Sequence, residues 1–273
     1  MSGVLYLEHL SDQDLSLLAA NGGETSSALR GDPDRIQRIL AEPVVFASIF
    51  GTGTQEAFLH ASPFLVFAVL VHRVRRDLDD VRFIDEWVGP GQRVPVFDIA
   101  ALREFTDDPA RRLFLAELLA SYTHVASGSY FTRGSRGWRR HRFSELDPMH
   151  LIELLDVVTA PERPSVYRRL GDLALFLTGV FPDYTGGGRL LSPIGRERLR
   201  RKLLRSEGEL PTALELFELI GRRAYQAASQ ATQRPGLLDD LGGQGFARSR
   251  RVLNFLTDRY LFPLREQWFP FAA

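Results

Sequence analysis

The chain has no cysteine. Disulfides, thiol nucleophiles, and cysteine-held zinc or iron–sulfur centres are excluded by that alone. Lysine is nearly missing as well: of 34 basic residues only Lys202 is a lysine, and the rest are arginine. There is no surplus of either charge, because 34 acids balance the 34 bases. A dedicated nucleic-acid coat normally carries an excess of base, so this balance speaks against one. Long apolar runs are also lacking. The longest is FLVFAVLV, Phe64 to Val71, far short of the ~20 residues that span a bilayer, and no membrane association is expected. The opening MSGVLYLEHLSDQDLS has no basic n-region and reaches Glu8 early, unlike a secretory signal. Together with the missing cysteine, this makes the cytoplasm the expected compartment.

Recognisable chemical motifs are equally scarce. No GxSxG elbow, Walker loop or GxGxxG is present. Six histidines occur without HxxxH or HExxH. Glu56 with His60, and His150 with Glu153, could each share a helical face, but neither has the order and spacing of a di-iron bundle. No metal, cofactor or catalytic residue is therefore expected, and ordinary hydrogen bonding is the expected state of His60 and His72, which flank the apolar run. FGTGTQEAF at 50–58 fits a turn that caps a helix through Thr54 better than it fits a phosphate cradle.

What the chain does have is helical periodicity. It is 44% hydrophobic and 25% charged over 273 residues, the composition of a globular protein with a sizeable core. Cap signals and apolar spacing predict helices at 11–20, 32–42, 62–80, 98–106, 109–124, 146–158, 164–181, 193–205 and 209–231. A last one starts near 246 and is expected to kink at Pro263. The helix over 164–181 carries apolar residues on both sides, which marks it as central and buried. Two segments read as extended. VRFIDEWVGPGQRVPVF at 81–97 suggests a hairpin with an edge strand that tolerates Pro95, and SYFTRGSRGWRRHRF at 129–143 suggests a second. The expected fold class is all-α, a multi-helix bundle with one or two small β-hairpins. It reads as a single helical domain over 1–273, with a sub-lobe boundary near 186–192 at the glycine run as the alternative.

The stretches VYRRLGDLALFLTGVFPDY at 166–184 and LELFELIGRRAYQAASQ at 214–230, with SPFLVFAVLVHR and GQRVPVFD in the first half, resemble a pattern in a group of uncharacterised bacterial helical proteins. The likeness covers most of the chain and rests on packing motifs. It implies a helical fold and assigns no activity.

Two candidate sites remain. FTRGSRGWRRHRF at 131–143 holds Arg133, Arg136, Trp138, Arg139, Arg140 and Arg142 and no acid. Guanidinium forks suit phosphate or carboxylate, and neighbouring rings suit stacking. The competing reading pairs these arginines with the chain's own acids, Asp77, Asp79, Asp80, Asp85 and Glu86. A second basic stretch, GRERLRRKLLR at 195–205, would extend a positive surface if it lay beside the hairpin with Arg248, Arg250 and Arg251. The other site is Asp172, in the most apolar helix. Burying a lone carboxylate costs several kcal/mol, so Arg222, Arg223 and Tyr225 are expected partners if the helices pack through Gly171, Ala174, Thr178 and Gly179. The expected role is a non-catalytic binding or regulatory protein whose arginine hairpin meets an acidic macromolecule, protein or nucleic acid, and a homo-oligomer is compatible with it. The alternative is a small-molecule binder or enzyme with an internal pocket around Asp172 and Tyr225.

Overall fold

The computed structural model describes residues 2–51, 55–89, 91–124, 127–134, 137–186, 195, 197, 212–231 and 236–263. These residues are mostly helical, as the periodicity predicts, with two small two-stranded sheets. The chain divides into two compact units. Met1–Ile84, Val96–Thr123 and Phe255–Ala273 form the first; Asp85–Pro95 and His124–Asn254 form the second. The boundary anticipated near 186–192 falls almost wholly on residues outside those described.

The first unit contains α1 (Ser2–His9), α2 (Asp12–Gly22), α3 (Ser26–Gly31), α4 (Asp34–Leu40), α5 (Pro43–Phe50), α6 (Gln55–His60), α7 (Pro63–Asp77), α8 (Ile99–Asp107) and α9 (Pro109–Ser121). Helix starts follow local chemistry. Ser11 and Asp14 form a reciprocal capping box at α2, with bonds of 3.1 and 2.9 Å. The same Asp14 carboxylate, fully buried, accepts the Ser62 N–H at 2.8 Å. Ser62 in turn caps α7 through Leu65 N–H, with Pro63 in the first turn. Helix α7 buries Phe64, Leu65, Val66, Ala68, Val69, Leu70, Val71, His72 and Val74, so it is covered on nearly every side, and α9 is its main neighbour. The helix expected over 32–42 ends at Leu40. Pro43 disfavours helical geometry in the residue before it, and Glu42 is extended at φ −74, ψ 134.

At the chain's far end, Thr257–Leu261 is a π-helical turn, so the departure from α geometry begins before Pro263. Asp77, buried at the end of α7, fixes this turn. It receives Arg73 at 3.0 Å, Arg259 at 2.8 Å and the Tyr260 hydroxyl. Tyr260 also packs its ring on Phe46, at 5.4 Å between centroids.

The second unit is organised by α11 (Arg163–Val180) and α13 (Ala213–Gln230), with α10 (Pro148–Leu154), α12 (Pro182–Gly186), α14 (Gly236–Gly242) and α15 (Gly245–Leu256, to Asn254 in this unit) around them. Two glycines permit the close approach. A Cβ at Gly171 would lie 2.8 Å from the Tyr225 ring, and one at Gly221 would lie 2.3 Å from Phe246 and 2.9 Å from Ala174. Gly171 and Ala174 thus face α13 as the sequence suggests, whereas Gly179 serves α15: its missing Cβ would meet Leu253 at 2.7 Å. Asn254 then donates to the carbonyls of Thr178 and Gly179 at 3.1 and 2.7 Å, satisfying acceptors at the end of α11.

The first sheet pairs β1 (Ile84–Gly89) with β2 (Gln92–Val96). Gly91 between them has φ +68, where glycine avoids a steric cost. Pro95 is accommodated because each strand of a two-stranded sheet has a free edge. No helix among the described residues is long and apolar enough to cross a membrane.

Candidate binding surface

The second sheet is the arginine hairpin. Strand β3 (Ser127–Gly134) runs antiparallel to β4 (Gly137–Ser144), with Ser127 opposite Ser144 and Gly134 opposite Gly137. That register leaves a two-residue connection, the shortest common hairpin loop. Eight residues per strand give a ribbon about 27 Å long at ~3.4 Å per residue. Midway along it Phe131 stands directly opposite Arg140. Phe131 is 60% exposed and Arg140 is also exposed, so a ring and a guanidinium stand opposite each other at the water boundary. Arg136 lies outside the described residues, as do the side chains of Arg133, Trp138, Arg139 and Arg142, whose backbones are in the strands.

The foot of the ribbon is fixed. Ser144 N–H donates to His150 Nδ1 at 3.2 Å, and Glu145 pairs with Arg169 of α11 at 2.9 Å.

Three of the five acids offered as internal partners have other cations. Asp77 holds Arg73 and Arg259, and Asp79 holds Arg75 at 2.8 Å. Glu86, itself buried, takes Arg250 and, at 3.0 Å, Arg251. This overturns the idea that Arg250 and Arg251 add to a positive surface: Arg250 is only 6% exposed, with Glu218 also 3.4 Å from its Nε. Trp87, next along β1 and buried, donates its indole N–H to Asp183. The cue for Glu86 was in the strand. Alternation places it on the same face as buried Ile84, and a carboxylate on an apolar face demands a partner. In the second basic stretch, 195–205, only Gly195 and Glu197 are among the described residues.

Asp172 and Tyr225 are brought together. The Tyr225 hydroxyl donates to Asp172 Oδ1 at 2.8 Å, and Arg168, one turn earlier on the same helix, lies 4.0 Å from Oδ2. Arg222 goes elsewhere: its Nε donates at 3.4 Å to the Gly242 carbonyl, which also receives Gln226 at 2.9 Å. Tyr225 is fully buried, with its ring against Gly171. The geometry is that of a clasp between α11 and α13.

Among the described residues no group of three or more acids and histidines is placed to hold a metal ion. Comparison of the chain with protein-family models, with curated protein sequences and with solved structures gave no match.

Proposed function

We propose that the protein is a non-catalytic binding protein, regulatory or adaptor-like, that engages an acidic macromolecule through the β3–β4 ribbon. The observation that carries this reading is Phe131 standing 60% exposed opposite exposed Arg140. A large ring left in water beside a guanidinium is a poor arrangement for stability alone. It suits a partner that supplies a flat or apolar surface together with anionic oxygens. The fixed foot of the ribbon supports the reading further, because a preorganised arm loses less freedom on binding. Asp77, Asp79 and Glu86 already hold arginines from other segments, which removes three of the candidate internal partners for the ribbon's own.

The alternative, a ligand pocket around Asp172 and Tyr225, has less support. The Tyr225 ring occupies the space above Gly171, and Arg222 does not converge on the pair.

The test is binding of the full chain to labelled single-stranded DNA and to labelled polyglutamate at low salt, with the Arg139→Ala/Arg140→Ala/Arg142→Ala variant alongside. The reading expects one probe to bind and the variant to bind it at least tenfold more weakly. Which probe binds decides between nucleic acid and acidic protein. Failure of the wild type to bind either, or equal binding by the variant, removes the proposal.

A further inference from the structure

The first unit holds a groove of about 820 Å³, within the size range of small-molecule sites. It is lined by α4, the second half of α7, the end of α8 and the start of α9. Its inner wall includes His72, which is only 4% exposed, and His72 Nε2 lies 3.2 Å from the hydroxyl of fully buried Tyr6. Burial pushes the Tyr6 hydroxyl up to about 12 and, with the nearby Arg112 charge, lowers His72 to about 3. Both groups are therefore neutral at ordinary pH.

A neutral imidazole carries one hydrogen, so a ring that accepts from the Tyr6 hydroxyl at Nε2 carries it on Nδ1. His72 has no other described hydrogen bond, and Nδ1 is not among the fully buried unpaired atoms. In that tautomer Nδ1 is a donor available to the groove.

The rim is uneven in charge. Arg75 bridges Asp79 and Asp107 at 2.8 and 2.6 Å, and Arg103 lies 3.6 Å from Asp79, so two cations face these two acids. Arg38 and Arg76 line the groove, are exposed, and have no carboxylate partner among the described residues. Arg112, deeper in, gives its terminal nitrogens to the carbonyls of Thr106 and Asp107 and to Gln37. Of the other acids lining the groove, Asp34 accepts the Gly3 N–H at 3.1 Å, and Glu42 has no described cation. Uncommitted donors therefore outnumber uncommitted acids.

We infer that this groove binds a small organic oxyanion, a carboxylate or phosphate group that accepts from His72 Nδ1 and is held at the rim by Arg38 and Arg76. Arginine forks match both oxyanions in geometry, and a fixed neutral donor adds direction without charge. Glu42 opposes the most highly charged ligands.

Isothermal titration of the full chain with pyrophosphate and with citrate, at matched ionic strength, tests the inference. The expected result is saturable binding of at least one probe with Kd below about 1 mM, a shift of the His72 side-chain ¹⁵N resonances, and at least tenfold weakening in Arg38→Gln/Arg76→Gln. Both substitutions are on exposed side chains, and an unchanged melting temperature checks folding. Glu42→Gln should tighten binding. The stronger probe tells phosphate from carboxylate. The ribbon variant Arg139→Ala/Arg140→Ala/Arg142→Ala must retain the binding, which separates this site from the ribbon. No saturation by either probe, full affinity in the Arg38/Arg76 variant, or loss of binding in the ribbon variant overturns the inference.

Discussion

Two arginine-rich stretches of the second unit have opposite fates. On α15, Arg250 and Arg251 converge on Glu86, and Arg250 is buried. On β4, Arg140 stands in water opposite an exposed phenylalanine. Residue type does not separate the two, and neither does local charge density. What differs is whether a distant part of the chain brings a carboxylate into reach. Glu86 is 164 residues from Arg250 in sequence, so its pairing belongs to tertiary structure. Buried arginines of this kind fix one arrangement of the fold, while exposed ones are available to a partner.

The sharpest way to break this comparison is Glu86→Gln. Removing one member of a buried ion pair typically costs about 3–5 kcal/mol, and here it leaves Arg250 only one described counterion, Glu218, at the longer distance of 3.4 Å from its Nε. Denaturant unfolding should show a loss of that order. A loss under ~1 kcal/mol would mean that Glu86 behaves as a surface pair.

His72 supplies a third fate, a base buried beside Arg112, which gives up its charge. Its folded value of about 3 lies below its ordinary 6.5, so the unfolded chain binds the extra proton. Stability from this group is complete above pH 6.5 and declines as pH falls from there toward 3, by up to about 1.4 kcal/mol per pH unit. The wild type should therefore lose stability between pH 6.5 and 4.5 more steeply than His72→Gln. Parallel curves would contradict a neutral buried imidazole.

A smaller effect is expected at the α11–α13 clasp. Gly171→Ala drives a Cβ to within 2.8 Å of the Tyr225 ring, and overpacking of this kind costs about 1–3 kcal/mol. Tyr225→Phe should cost about 1–2 kcal/mol through the lost bond to Asp172. A pocket reading of the pair would be revived if Tyr225→Phe left stability unchanged and altered binding of a small molecule. Smallest of all, Arg140→Ala should change stability by no more than about 0.5 kcal/mol, as for exposed residues outside structural contacts.

The local half of this structure was legible in the sequence. Ser11, Ser62, Asp98, Asp108 and Asp147 all accept the helix-start bonds that their positions suggest. The apolar spacing of α11 marked it as central and buried, and glycines at 134 and 137 marked the ribbon's turn. Helices α1, α3 and α5 were not legible: they are six to eight residues long, too short to show periodicity, and they depend on packing. For the candidate sites, pattern was enough to propose Asp172 with Tyr225, since both lie on strongly periodic helices. It could not assign Arg222 to the Gly242 carbonyl or Glu86 to α15, because those choices are made between elements far apart in sequence. The groove at His72 was hidden for the same reason: its lining comes from α4, α7, α8 and α9, and the His72 partner Tyr6 lies on α1.

The most direct test of the central claim is the salt dependence of binding to the acidic probe that the ribbon retains. If the exposed arginines make the contacts, the slope of log K against log salt should fall in magnitude by about 2–3 when Arg139, Arg140 and Arg142 become alanine, at roughly 0.7–0.9 per lost phosphate contact for a nucleic-acid probe. It should stay unchanged in Arg251→Ala. Equal slopes in the wild type and the ribbon variant, or a loss confined to Arg251→Ala, would contradict the account.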